Sequence, residues 1–223
     1  MQDSPTTHRS RIVQAYHRYL QGSDAIEYAA EVSRDYDVAT LHRLLIASNV
    51  ESKRAAALAL AITGDRLSLP FLGRCLRDVD RGVRLVVDDA FRACLMRGPT
   101  NRAHHKLMQV MHLNDGGDYS SALPIATELC REFPNLAEAH HQAALAMQGL
   151  GRYETSRELL HACLFECRHH YMAWNALSRC RLEAGDLHGG LRALEISLAI
   201  CPDQETIRLQ VRVLSRRIGQ QQN

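Results

Sequence analysis

Side chains that could bind a metal ion are most concentrated between residues 161 and 170. The stretch contains three histidines and two cysteines, which are His161, Cys163, Cys167, His169 and His170. Cys163 and Cys167 lie four residues apart, so one face of a helix could present both of them to a metal ion. Zinc needs four such ligands, and the stretch lacks the Cys-x-x-Cys pair typical of zinc sites. We therefore predict buried, reduced cysteines here, with no metal and no cofactor.

The residue patterns of common enzyme sites are missing from the sequence. It has neither a Gly-x-x-x-x-Gly-Lys phosphate-binding loop nor a Gly-x-Ser-x-Gly nucleophile motif. Asp88 and Asp89 are adjacent carboxylates, but neighbouring residues of a helix point in different directions and cannot share one site. We predict that the protein has no catalytic residues and is not an enzyme.

A row of arginines could contact the phosphates of a nucleic acid, and it consists of Arg74, Arg77, Arg81 and Arg84. Acidic residues interleave with this row and reduce its electric field, namely Asp78, Asp80, Asp88 and Asp89. The formal net charge is +2 and aromatic residues make up 5% of the chain, which leaves few side chains to stack on bases. The sequence therefore disfavours nucleic acid, and we expect Arg84 to form a structural ion pair with Asp78 or Asp80.

The sequence shows neither a signal peptide nor a membrane span. Its opening residues 1–5 lack a basic start followed by an apolar core. The longest apolar run, residues 55–62, is far shorter than the roughly 20 residues of a spanning helix. Seven cysteines without a close-set framework fit a reducing compartment. We therefore expect a soluble cytoplasmic protein that does not contact a membrane.

A glycine turn recurs along the second half of the chain at a fixed spacing. Gly117, Gly151 and Gly185 each lie 34 residues from the next, and a period of this length is typical of helical repeats. Apolar residues fall at helical spacing throughout, and no segment alternates with the period of two expected of a strand. The sequence therefore predicts an all-α fold.

Residues 103–204 resemble three tetratricopeptide (TPR) repeats, at 103–136, 137–170 and 171–204. The third unit carries the clearest motif residues, which are Trp174, Leu177, Gly185, Asp186, Leu194, Ser197 and Pro202. The resemblance implies that small residues occupy close helix crossings, and these are Ala122, Ser156 and Gly190. Residues 205–218 alternate apolar side chains with arginines and predict the capping helix that such arrays need at their ends. Residues 219–223 are expected to be a frayed tail.

Residues 8–98 predict a second set of helical pairs, and part of this range resembles short HEAT-type repeats of the bilin-lyase kind. The resemblance rests on the acidic turn at 78–80 followed by Val83 and Arg84, with Lys53 and Arg54 thirty residues earlier. The stretch 97–101 predicts a break, because Gly and Pro end a helix there and Thr or Asn can begin the next. The whole chain is thus predicted to be an α/α superhelical solenoid of helix hairpins, with a HEAT-like half followed by a TPR half and a C-terminal capping helix.

The TPR resemblance implies a concave groove lined by the first helix of each pair. Projected onto this chain, the groove residues are His104, Leu107, Met111, Glu138, His141, Leu145, Met172, Asn175 and Arg179. Asn175 and Arg179 share one helix face and could hold a peptide backbone or a carboxylate; an ordinary solvated helix face is the alternative. The family's basic carboxylate clamp has no counterpart here, so a segment with apolar character is expected instead.

The predicted function is that of a non-enzymatic adaptor that binds a peptide or protein segment in the TPR groove. The HEAT-like half would then offer a second docking surface. Two alternatives stay open at this point. One is a helical-repeat subunit of an enzyme such as a lyase, and the other is a nucleic-acid-binding helical-repeat protein. The sequence specifies neither the identity of the partner nor the oligomeric state.

Overall fold

The computed structural model describes residues 10–22 and 24–221. All regular secondary structure in these ranges is helical, with thirteen α-helices, one short 3-10 turn and no strand. The prediction of an all-α fold is therefore confirmed. The chain divides into two compact units, the first ending at Cys94 and the second beginning at Leu95. The predicted break at 97–101 lies just after this division, while the predicted first-domain start at His8 lies outside the described residues.

The described residues of the first unit form six α-helices. They are α1 (Arg11–Leu20), α2 (Ala25–Asp35), α3 (Val38–Ala47), α4 (Val50–Thr63), α5 (Leu69–Cys75) and α6 (Arg81–Met96), which continues past the division. Helix α4 forms the centre of the unit, because α1, α2 and α3 all pack on it. Four of its alanines, at positions 55, 56, 57 and 59, are completely buried, so neighbouring helices can approach its backbone closely.

The acidic turn before α6 is tied to the start of α4 by two ion pairs. Lys53 Nζ lies 2.6 Å from Asp78 Oδ2, and Arg54 Nη2 lies 2.8 Å from Asp80 Oδ1. Arg84 reaches the same turn differently from the expectation, since its Nη1 donates to the backbone carbonyl of Asp78 at 2.9 Å. The carboxylates of Asp78 and Asp80 therefore accept hydrogen bonds from Lys53 and Arg54, which belong to the preceding helical pair. The resemblance of this unit to HEAT repeats remains a prediction.

The second unit consists of three helix pairs and a final helix. They are α7 (Asn101–Asp115), α8 (Tyr119–Glu132), α9 (Ala137–Gly149), α10 (Tyr153–Glu166), α11 (Tyr171–Glu183), α12 (Leu187–Ile200) and α13 (Glu205–Gln221). Each helix packs on the next, and α9 also packs on α7 and α11, so the pairs form a stack. Helix α7 begins before the predicted Ala103 because Thr100 Oγ1 accepts the N–H of Ala103 as an N-cap. Helix α13 runs to Gln221, so the tail predicted from Gly219 is helical over its described part.

The turn inside each helix pair has the same backbone geometry. Gly117, Gly151 and Gly185 have φ values of +77°, +73° and +79°. The residue after each glycine donates its N–H to a carbonyl five residues earlier, at 2.8 to 2.9 Å. This is the Schellman ending of a helix, in which a left-handed residue lets the chain turn back while the last carbonyls stay hydrogen-bonded. The glycine spacing in the sequence therefore corresponds to three equivalent turns.

Small residues lie at the close crossings inside the helix pairs, as predicted. Ala122 and Ser156 are completely buried, and Gly190 is buried as well. A Cβ atom at Gly190 would lie 2.5 Å from Leu182 Cδ2, which is too close for two carbon atoms. Larger side chains at these positions would separate the two helices of a pair.

We predict that Gly151→Ala destabilises the second unit by about 1–2 kcal/mol, because an L-residue is strained in the left-handed conformation. The free energy of unfolding can be measured by urea denaturation, with the fluorescence of the single tryptophan, Trp174, as the reporter. Gly219→Ala is the matched control, since a Cβ there has no neighbour within 4 Å and alanine favours a helix. Equal stability of Gly151→Ala and the unmodified protein would show that the turn needs no glycine.

Candidate functional site

The predicted groove residues divide into three classes by exposure. Three of them are buried, which are Leu107, Glu138 and His141. Five are partly buried, which are His104, Met111, Leu145, Met172 and Asn175. Arg179 alone of the nine is exposed. A bound segment cannot contact Leu107, which is part of the apolar core, and the two buried polar residues contact other parts of the chain. The remaining six residues are still a prediction.

The carboxylate of Glu138 is buried and accepts hydrogen bonds from three side chains. Its Oε1 accepts from His141 Nδ1 at 3.0 Å and from Gln142 Nε2 at 2.7 Å, both one turn further along α9. Its Oε2 accepts from Nε2 of His170 at 2.9 Å. His170 is the residue before α11 and is completely buried. The carboxylate therefore joins α9 to the beginning of the next helix pair. We call Glu138, His141, Gln142 and His170 the Glu138 network.

The electrostatics of the Glu138 network favour an ionised carboxylate and a neutral His170. Burial alone would raise the pKa of Glu138, but electrostatic interactions with His141 and His170 and the hydrogen bonds from both residues hold that pKa well below its ordinary value of 4.5. Burial lowers the pKa of His170 from its ordinary value of 6.5, and His141 lowers it further, against the opposing pull of Glu138. A buried carboxylate with several donors is the arrangement in which its charged form is stable.

Both ring nitrogens of His170 are engaged. Nδ1 accepts the backbone N–H of Ala173 at 3.1 Å and so caps α11, which leaves the proton of the neutral ring on Nε2, facing Glu138. The ligand atoms of Glu138, His141 and His170 all lie within 4.8 Å of one another. However, a metal ion on Nε2 would force the ring proton onto Nδ1, against the N–H of Ala173. The chemistry of the donors therefore fits hydrogen bonding and not metal binding.

The side chains of the stretch 161–170, which could bind a metal ion by their type, lie in different environments. His161 is exposed and His169 is partly buried. Cys163 and Cys167 are buried free thiols. Burial raises the pKa of Cys167 to about 12 and raises the pKa of Cys163 well above its ordinary value. These cysteines are therefore protonated at neutral pH, which suits neither a metal thiolate nor a nucleophile.

A second set of polar contacts repeats along the stack of helix pairs. Asn114 Nδ2, at the end of α7, donates to the backbone carbonyl of Gln142 in α9 at 3.0 Å. Gln148 Nε2, one period later at the end of α9, donates to the carbonyl of Ala176 in α11 at 2.7 Å. The equivalent residue of α11 is Leu182, which cannot donate a hydrogen bond. This amide contact therefore joins α7 to α9 and α9 to α11, but residue 182 cannot form it between α11 and α13.

A pocket of about 590 Å³ lies between α11 and α13, where this contact is missing. Its apolar lining is Leu182, Leu194, Ile207, Val213 and Leu214. Its polar lining is Asn175, Ser178, Arg179, Glu183, Gln210 and Arg217. Two of the predicted groove residues, Asn175 and Arg179, are thus brought together here. The contribution of α13 to this pocket was not predicted from the sequence, although the apolar face of that helix was visible there.

Two polar atoms at the base of this pocket lack hydrogen-bond partners among the described residues. They are Asn175 Oδ1 and Ser178 Oγ, and both are shielded from water. Asn175 Nδ2 donates to Gln204 Oε1 at 2.7 Å. Gln204 Nε2 in turn donates to the carbonyls of Ser197 and Cys201, which fixes the orientation of both amides. Asn175 therefore presents an unused acceptor, and Ser178 a hydroxyl that can donate or accept.

A larger pocket of about 970 Å³ lies among α10, α11 and α12, away from these atoms. Four arginines and three acidic residues line it. Arg157 pairs with Glu154, Arg181 donates to the carbonyl of Gly189, and Asp186 caps α12. None of the described residues that line this larger pocket has a buried side-chain N or O atom without a hydrogen-bond partner, whereas the smaller pocket has two such atoms, so the smaller pocket is the stronger candidate for ligand binding.

The comparisons with known proteins concern the fold. No protein-family model and no curated protein matches the chain. Among solved structures, the chain is similar to YrrB, described as a TPR protein with an unusual peptide-binding site, with a TM-score of 0.46 and 17% identity, over 91% of this chain and 98% of that one. It is also similar to TTC0263, a thermophilic TPR protein of Thermus thermophilus, with a TM-score of 0.40 and 17% identity, over 91% and 96%.

A third similar structure is the TPR domain of P58(IPK), with a TM-score of 0.45 and 15% identity, over 93% of this chain and 65% of that one. At these scores and identities the likeness assigns no role to any residue and no ligand to this chain. Among the described residues, no helix has the length and apolar character needed to cross a membrane.

We predict that Glu138→Ala destabilises the second unit by about 3 kcal/mol, because it leaves three buried donors without an acceptor. Urea denaturation followed by Trp174 fluorescence measures this loss. Glu158→Ala is the control, since Glu158 is exposed on α10 and its loss should change stability by less than about 0.5 kcal/mol. Similar stabilities of the two variants would contradict a structural role for the buried carboxylate.

Proposed function

We propose that the protein is a non-enzymatic adaptor that holds an extended segment of another protein between α11 and α13. The observation that carries this proposal is the pair of unpartnered polar atoms, Asn175 Oδ1 and Ser178 Oγ, at the base of a pocket with apolar walls. Leaving a buried polar atom unpaired costs about 1–3 kcal/mol. A ligand that supplies the missing hydrogen bonds recovers this free energy on binding.

A peptide backbone has the groups that these two atoms require. Its N–H can donate to Asn175 Oδ1, and its carbonyl can accept from the hydroxyl of Ser178. An apolar side chain of the segment would enter the space beside Leu182 and Ile207, whereas a purely polar ligand would leave that surface unused. Because both polar atoms are covered in the free protein, the proposal requires α13 to move outward when the segment binds.

The charged rim of the pocket favours a segment with acidic character. Arg179 and Arg217 are both exposed at the pocket, against the single acidic residue Glu183. Such rim charges mainly orient the incoming segment and increase its association rate. The further predicted groove residues His104, Met111, Leu145 and Met172 would extend the site along the first helices. Buried apolar surface and two backbone hydrogen bonds support an affinity near micromolar, about −8 kcal/mol.

The chemistry of the chain favours this role over the two alternatives. The buried cysteines are protonated thiols, so they do not serve as nucleophiles. In the arginine-rich stretch, Arg84 donates to the backbone of the acidic turn, and the carboxylates Asp78 and Asp80 pair with cations of α4. The seven free cysteines also fit a reducing compartment such as the cytoplasm.

The first unit has exposed apolar side chains that suit the second docking surface we propose for it. Val79, at the tip of the acidic turn, is 96% exposed, and Ile26 is 75% exposed. Single exposed apolar residues are common on proteins, so this part of the proposal rests on the adaptor role of the second unit.

We predict that the double variant Asn175→Ala/Arg179→Ala binds peptides at least about tenfold more weakly than the unmodified protein, a loss of about 1.4 kcal/mol. The probes are fluorescein-labelled peptides selected from a random phage-displayed dodecamer library against the full chain, and affinity is measured by fluorescence polarisation. The selected peptides should contain an apolar residue flanked by acidic ones.

The control is Arg152→Ala/Thr155→Ala, which changes two exposed residues of the larger pocket and should leave the affinity unchanged. Asn175→Ala also removes the hydrogen bond to Gln204, so the free energy of unfolding is measured in parallel and should fall by only about 1 kcal/mol. Unchanged peptide affinity in the folded Asn175/Arg179 variant would exclude this site.

A further inference from the structure

We infer that His170 is an acid-sensitive lock between the second and third helix pairs of the second unit. Its ring makes two contacts that require opposite hydrogen-bonding roles. Nε2 donates to Glu138 in α9, while Nδ1 accepts the N–H that opens α11. A protonated imidazole is a donor at both nitrogens. Protonation therefore places the Nδ1 proton against the N–H of Ala173 and removes the cap of α11.

The buried position of His170 makes the loss of the α11 cap costly to stability. The side chain is completely buried, so a protonated ring cannot turn to water without moving the start of α11. The His141 ring lies 4.6 Å away, centroid to centroid, and packs against the same carboxylate. A positive charge on His170 would gain attraction to Glu138 but would lose its hydration and the backbone contact. Local opening between α9 and α11 releases the ring to solvent and relieves both losses.

The titratable groups around His170 and its partner Glu138 come from three elements. Helix α9 contributes Glu138 and His141, helix α10 contributes Cys163, and the connection to α11 contributes Cys167. The two thiols are neutral because burial raises the pKa of each. Glu138 is thus the one anion among these groups, and it is already shared by three donors.

The direction of the pH effect follows from linkage. The pKa of His170 is lower in the folded protein than its ordinary value of 6.5, so the unfolded chain takes up a proton first as the pH falls. Stability is therefore complete above pH 6.5 and declines below it, until the pH reaches the folded-state pKa. Glu138 also has a lowered pKa, and its contribution is lost only below its ordinary value of 4.5. His170 therefore responds first on acidification.

The test compares the unmodified chain with His170→Asn between about pH 8 and pH 5. Asparagine is a favourable N-cap residue that can still accept the N–H of Ala173, but it does not titrate. Urea denaturation followed by Trp174 fluorescence gives the folding equilibrium constant at each pH. Below pH 6.5 we expect the constant of the unmodified chain to fall by up to about tenfold per pH unit more steeply than that of His170→Asn, the limit for one proton.

The matched control is His161→Asn, because His161 is an exposed histidine of α10. Its pH profile should follow that of the unmodified chain. The pH profile of His170→Asn running parallel to that of the unmodified chain would overturn the inference.

Nitrogen-15 NMR of the His170 ring in the unmodified protein measures its tautomer and its pKa directly, and it tests the inference even if His170→Asn does not fold. A neutral ring protonated at Nε2 near pH 7, with a folded-state pKa below 6.5, supports the lock. A ring pKa at or above 6.5 in the folded state refutes it. Neither measurement involves a peptide ligand, so the outcome is independent of the proposed binding function.

Discussion

A buried carboxylate that needs donors from more than one helix pair determines how the second unit is joined. Glu138 takes two of its hydrogen bonds from its own helix and the third from His170 at the start of the next pair. Gln142 extends the connection backwards, since its Oε1 accepts from Asn114 of the preceding pair at 2.9 Å. One charge thus fixes the relation of α7, α9 and α11. Apolar packing alone would hold these helices together but would not select one register, because it has no direction.

The repeat period and the polar contacts have different origins. The turns and the small crossing residues recur at every period because each pair must make the same bend and the same close approach. The residues at equivalent positions differ in polarity, since Leu136, His170 and Gln204 precede successive first helices. His170 contacts Glu138, whereas Gln204 contacts Asn175. Each junction in the stack is therefore chemically distinct although the backbone repeats. As a result, one junction contains the buried Glu138 network and the next contains the candidate binding pocket.

Local signals made most of the fold predictable from the sequence. The glycine turns, the helix-capping Thr100 and the small crossing residues all act within one helix pair, so the sequence pattern contains their cause. The Glu138 network could not be recognised in the same way. Residues 138, 141 and 142 form a polar stripe that looks like a solvated helix face, and only the arrival of His170 from the next pair shows that it is buried. Asn175 posed the same problem, because Gln204 decides which of its amide atoms remains available.

The anchoring of Gln204 has a mechanical consequence for the final helix. Its amide is fixed to α11 through Asn175 and to the end of α12 through Ser197 and Cys201, and α13 begins at the next residue. Beyond this point no amide bond corresponding to that of Gln148 joins α13 to α11, since Leu182 stands in its place. Gln204 therefore acts as a pivot. Outward rotation of α13 about this residue would draw apolar side chains such as Leu214 away from α11, and it would leave the hydrogen bonds among α7, α9 and α11 in place.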